Sequence, residues 1–124
     1  IVAAAELYLD LPRRAREHFA LVSVLLADPR PLLPDDEAKR TAPLLLAFLS
    51  DVRDVLAKAE SAGALSAGDA FDRTLVLWAT LQGAAQLGKI SRFEPKRFDA
   101  IRLGREALRA LLAGWGAPGR SDVL

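Results

Sequence analysis

Cysteine and methionine are absent from the 124 residues, and histidine and tyrosine occur once each. Without cysteine there is no disulfide scaffold, no thiolate metal site and no cysteine nucleophile. A single histidine, His18, excludes a multi-histidine metal site or a two-histidine mechanism within one chain. An excess of one charge sign is missing as well: 17 Lys and Arg face 16 Asp and Glu, which does not describe a polybasic protein. The longest apolar runs, Ala42–Leu49 and Leu75–Ala79, fall far short of the ~18–20 residues of a membrane span. No basic-then-apolar leader is present, so no membrane partner is expected and the cytoplasm is the expected compartment.

Catalytic motifs are missing too. Ser23, Ser50, Ser61, Ser66, Ser91 and Ser121 include no Gly-x-Ser-x-Gly elbow, and the scattered glycines form no phosphate loop. The carboxylates Asp35-Asp36-Glu37 and Asp51/Asp54 read as solvated helix starts and polar faces. No enzyme, cofactor or metal site is expected.

What remains is an apolar chain of one-domain size: 52% of its residues are hydrophobic and 27% charged. That rules out a disordered tail, and a chain this long removes about two-thirds of its unfolded surface from water. It opens at Ile1 and has no methionine, so it is expected to be a piece of a longer polypeptide.

Alanine, leucine and arginine dominate between a few regular breaks, and no segment alternates apolar and polar residues as a strand does. The expected fold class is all-α: a bundle of about five helices near 2–10, 13–27, 36–61, 67–88 and 95–114, with a polar tail at 119–124. Ser66-Ala67-Gly68-Asp69 fits a capping box, and Pro95 suits a first helical turn. Near Pro43 two readings stay open: a helix capped by Thr41, or one that begins near Asp35 and bends at the proline.

The last two helices carry the strongest patterns. In 95–114, Phe98, Ile101, Leu108, Leu111, Leu112 and Trp115 form one apolar stripe beside the small residues Ala100, Gly104 and Ala107. In 67–88 nearly every direction is apolar or small, which calls for cover on all sides. A second subunit is the simplest cover; a single buried central helix is the other reading. Gly83 and Gly104 suit close backbone crossings. Gln82, set among Trp78, Leu81 and Ala85, needs a partner from the dimer mate, a core water or a ligand. The basic residues between Lys89 and Arg109 interleave with Glu94, Asp99 and Glu106 at helical spacing and lack an aromatic platform. They read as a solvated face with pairs such as Arg102–Glu106 rather than a nucleic-acid patch.

The run Leu77-Trp78-Ala79-Thr80-Leu81-Gln82-Gly83, then a loop, a proline-started helix and Ala107-Leu108-Arg109-Ala110-Leu111-Leu112-Ala113-Gly114, resembles the last two helices of TetR-type transcriptional regulators. The proline-rich break before Asp35, the long helix through Leu44–Ala59 and the glycine turn before Ser66 fit the same C-terminal half. The resemblance covers 12–118 and implies a regulatory domain over 1–118, with the helix-turn-helix half absent. It further implies a homodimer whose last two helices form a four-helix bundle, a small apolar effector, and DNA contact only through the missing domain. The ligand residues expected from apolar periodicity and this likeness are His18, Phe19, Val22, Phe48, Leu49, Val52, Thr74 and Trp78. The expected dimer interface is Leu75, Ala79, Gln82, Gly83, Gln86, Ile101, Gly104, Leu108, Leu111 and Trp115. A helical adaptor that takes a partner helix in an apolar groove, with no small ligand, is the competing reading.

Overall fold

A computed structural model describes residues 1–28 and 30–118, apart from the side chains of Val22, Leu25, Leu26, Ala27, Thr41, Leu44 and Leu45. The expected tail at 119–124 lies outside the described residues. Five α-helices, α1 (Val2–Arg14), α2 (Arg16–Ala27), α3 (Asp35–Ser61), α4 (Ala70–Leu87) and α5 (Ala100–Gly114), are joined by turns and a short 3-10 segment at Gly88–Ile90. No strand occurs among the described residues.

Helix starts depend on aspartate more than on the expected serine and proline. Asp69 is itself the N-cap of α4, its carboxylate accepting from the Phe71 and Asp72 amides at 2.8 Å each. Asp99 caps α5 by accepting from the Arg102 amide at 2.9 Å. Pro95 therefore lies in the turn before α5, where the Arg97 and Phe98 amides both donate to the Glu94 carbonyl at 3.1 Å. An aspartate oxygen satisfies N–H groups that no helical carbonyl can reach, so the helix begins where the carboxylate is. At Pro43 the helix is continuous from Asp35, and Asp35, Asp36 and Glu37 place three carboxylates at its positive end. The first helix likewise runs through Pro12 to Arg14.

Two helix ends use glycine for the same reason. Gly63 (φ +71°) and Gly116 (φ +82°) occupy the left-handed region just past α3 and α5. There Gly63 N–H donates to Glu60 O and Ala64 N–H to Ala59 O; Gly116 and Ala117 repeat the pattern onto Ala113 and Leu112. Both are Schellman closures that satisfy the last carbonyls.

Helix α4 is the hub, packed on by α1, α3 and α5, while α2 leans on α1. The core gathers Ala5 and Leu9 of α1, Leu77, Leu81 and Ala84 of α4, and Leu108 of α5. Gly104 lets α1 approach α5: a Cβ there would stand 2.8 Å from Leu9 Cδ2. At the far end Arg73 ties three segments. Its guanidinium donates to the Ser66 carbonyl at 2.9 Å, lies 3.6 Å from the Glu60 carboxylate and covers the Trp115 ring at 5.5 Å. Ser66 closes the link by donating through both its amide and its hydroxyl to the Trp115 carbonyl, each at 2.8 Å.

Among the described residues, three of the seven basic residues from Lys89 to Arg109 pair with carboxylates. Arg105 binds Glu6, Arg109 binds Glu106 and Arg97 binds Glu94. The expected Arg102–Glu106 pair does not form, because Arg102 turns back to donate to the Arg97 carbonyl at 2.8 Å and Glu106 takes Arg109.

Truncating Leu108, 1% exposed, to alanine should cost about 2–5 kcal/mol. Arg73→Ala should cost about 2 kcal/mol, because it removes a buried guanidinium together with its bond to the Ser66 carbonyl and its cover of the Trp115 ring. Urea denaturation followed by circular dichroism measures both; a loss below about 0.5 kcal/mol at either position contradicts the packing described.

Candidate functional site

Helices α1 and α3 both rest on α4 and scarcely touch each other. The gap between them is a cavity of about 220 Å³, with Ala4, Ala5 and Tyr8 on one wall and Phe48, Leu49 and Val52 on the other. Thr74, Leu77, Trp78 and Leu81 form its floor, and Asp51 and Val55 stand at its exposed rim. A second cavity of about 260 Å³ adjoins it toward α2, lined by Leu11, Ala15, His18 and Phe19. Tyr8, Phe48 and Trp78 belong to both cavities and form the boundary between them.

The expected ligand residues thus divide between two adjoining spaces. Leu49, Val52 and Thr74 line the first, His18 and Phe19 the second, and Phe48 and Trp78 both. The Val22 side chain lies outside the described residues. His18 sits on the exposed edge of the second cavity, and Phe19 is buried behind it.

Sequence reasoning missed Tyr8, the residue that organises the boundary. Its hydroxyl donates to Gln82 Oε1 and accepts from Trp78 Nε1 at 3.1 Å, joining α1 to two successive turns of α4. Burial raises the Tyr8 pKa above its ordinary value, and the bond from Trp78 partly offsets the rise. The available signal was position: Ala4, Tyr8, Leu11 and Ala15 recur at three- and four-residue spacing along α1, one helical stripe facing the cavities.

The polar atoms of the walls turn toward one another and away from the cavity. Trp78 and Tyr8 satisfy each other, and the Thr74 hydroxyl donates to the Ala70 carbonyl at 2.8 Å. Gln82 Nε2 is buried without a hydrogen-bond partner among the described residues, as are Gln86 Nε2 and Ser23 Oγ. What is left facing the space is almost wholly hydrocarbon and ring surface. Such a lining recognises apolar molecules by area and shape. No group of three or more potential metal ligands occurs among the described residues.

The residues expected at a dimer interface separate into two sets. Leu75, Ala79 and Gly83 are exposed on α4, together with Val76 and Leu87, and form one continuous arc opposite the core. Gly83 has open space where a side chain would project. Gly104 and Leu108 point the other way. They are buried against Leu9 and the α4 core, because the apolar stripe of α5 is covered by α1 of the same chain. Gln82 also spends its carbonyl within the protomer, on Tyr8, in place of a dimer mate. Gln86 is partly buried, and Ile101, Leu111 and Trp115 pack at the margin of the core. No helix among the described residues is long and apolar enough to cross a membrane.

No protein-family model, curated protein or solved structure matches this chain.

Replacing Tyr8 by phenylalanine removes the hydroxyl and leaves Trp78 Nε1 and Gln82 Oε1 unpaired, at a cost of about 1–3 kcal/mol in urea denaturation. The raised pKa also fixes the sign of an alkaline effect. The unfolded chain ionises near pH 10, before the folded one, so stability is complete below about pH 10 and declines as pH rises above it. Tyr8 is the sole tyrosine, so tyrosinate absorbance reports its titration directly. Titration at the ordinary tyrosine pKa in the folded protein contradicts its burial.

Proposed function

We propose that these residues are the ligand-sensing and homodimerising body of a TetR-type transcriptional regulator. The observation that carries the reading is the cavity pair, apolar, aromatic-walled and held between α1, α3 and the hub helix α4. A small apolar effector occupies it, and recognition of DNA belongs to a helix-turn-helix domain outside these 124 residues. An effector acts only through a difference in affinity between two arrangements of the body. In a DNA-bound dimer the useful difference is one that alters the spacing of two recognition helices set about 34–36 Å apart.

The homodimer is supported by the exposed arc of α4. Val76 (47% exposed) and Leu87 (43%) flank Ala79 and Gly83, whose small side chains let a second helix approach closely. Two such helices related by a two-fold axis would present the same arc to each other, as an isologous interface requires. A second reading, a helical adaptor for a partner helix, is favoured by Leu21, Val24 and Leu46, which are exposed on α2 and the first half of α3.

Sedimentation at micromolar concentration should give twice the chain mass, and Ala79→Arg should give a monomer of unchanged helicity, because the substitution lies on the surface. A wild-type monomer overturns the dimer. Thermal-shift screening against small apolar compounds separates the two readings: a ligand at a hundred times its Kd stabilises by about 2.7 kcal/mol. An adaptor is instead stabilised by a partner helix alone.

A further inference from the structure

A third space opens on a different stripe of α1 from the cavity pair. It is a groove of about 660 Å³ between the α1–α2 corner and the segment that joins α4 to α5. Leu9, Phe19, Ala85, Phe98 and Ile101 give it an apolar bed, and the buried Phe19 is the partition between it and the second cavity. Three cations from three segments stand around that bed: Arg13 in the last turn of α1, Arg16 in the first turn of α2 and Lys89 in the 3-10 segment. All three are exposed, and none forms an ion pair among the described residues. The carboxylate in the lining, Asp99, is occupied as the N-cap of α5, accepting from the Arg102 amide at 2.9 Å. Asp10, Glu17 and Glu94 lie outside the lining, and two of them already hold Arg14 and Arg97.

We propose that this groove binds amphipathic anions, molecules with an unbranched apolar chain and one carboxylate or phosphate head. The chain lies on Leu9, Phe19, Phe98 and Ile101, and the head sits at the rim among Arg13, Arg16 and Lys89. The volume falls within the range of about 300–1,000 Å³ that small-molecule sites occupy. Affinity comes chiefly from the chain, in proportion to the CH₂ groups taken out of water. The cations select the head. An arginine fork meets two oxygens of a carboxylate or phosphate at once, and lysine adds a point charge. Water and salt screen each exposed cation, so the three act together or weakly. A ligand held this way also bridges α2, which packs chiefly on α1, to the α4–α5 connection.

Four probes with one decyl chain and different heads test the idea: decanoate, decyl phosphate, decanol and decyltrimethylammonium, each below its micelle concentration. They are titrated calorimetrically into the intact chain and into the triple variant Arg13→Gln, Arg16→Gln, Lys89→Gln, whose exposed positions leave helicity unchanged. Both anions should bind about tenfold more tightly than the alcohol and the cation, and the triple variant should weaken the anions about tenfold while sparing the alcohol. Hexyl phosphate should bind at least about tenfold more weakly than decyl phosphate, since four CH₂ groups fewer are buried. If the four heads bind alike, anion selection is overturned. If the triple variant keeps its full affinity for the anions, they sit elsewhere and the groove is overturned as their site. Displacement of decyl phosphate by an equal concentration of inorganic phosphate overturns the apolar half of the proposal, and no binding by any probe overturns the whole. None of these outcomes touches the effector reading of the cavity pair, which shares none of the three cations.

Discussion

Burial of one side of α4 constrains everything else in this fold. Leu77, Leu81 and Ala84 are closed off by Leu9 of α1 and Leu108 of α5, and Gly104 permits the approach that makes the closure tight. Because α1 and α3 lie on the same helix without packing on each other, the space between them is a necessary consequence of the arrangement. Its floor is a wall of α4, and its sides are faces of α1 and α3 that include the core residue Ala5. The cavity therefore follows from the way three cylinders meet, before any particular side chain is considered.

The side chains then decide its character. A tyrosine, a tryptophan and a glutamine brought into an apolar interior each carry a group that is costly to bury unpaired. Here Trp78 donates to Tyr8 and Tyr8 donates to Gln82, which leaves Gln82 Nε2 as the group of the three without a partner among the described residues. The result is a wall that is aromatic but presents little hydrogen-bonding capacity to the space beside it. The same two bonds pin α1 against α4 at the cavity boundary. The lining and the support of the site are thus one set of contacts.

Helix type and number were legible in the sequence, because runs rich in alanine and leucine at three- and four-residue spacing have no strand interpretation. The start of α5 was not, since Pro95 and Asp99 are both acceptable openings and the choice falls to the residue whose carboxylate reaches the free amides. The continuity of α3 through Pro43 was equally hidden, because the missing N–H removes one bond from a helix long enough to persist without it. Of the candidate ligand residues, chosen from apolar periodicity and the family likeness, His18, Phe19, Phe48, Leu49, Val52, Thr74 and Trp78 line cavities, and neither ground shows that they divide between two. Apolar periodicity failed for Gly104 and Leu108 for a definable reason. Periodicity says that a stripe is buried, but not by which neighbour, and α1 covers what a second subunit was expected to cover. Tyr8 was passed over because its importance comes from partners 70 and 74 residues away, which spacing along its own helix does not reveal.

One helix carries both halves of the proposed function. Thr74, Leu77, Trp78 and Leu81 look into the cavity, while Leu75, Val76, Ala79 and Gly83 lie on the exposed arc of the same eighteen residues. Backbone hydrogen bonds hold these two faces in a fixed relation, so a ligand that shifts or rotates α4 to make room at Trp78 moves the arc with it. Close packing against Leu9 and Leu108 resists gradual deformation and favours discrete repositioning. For a dimer joined through that arc, occupancy of the cavity and geometry of the interface become a single variable. An adaptor whose partner sat on α2 and α3 would have no such linkage, because neither the cavity floor nor the arc belongs to those helices.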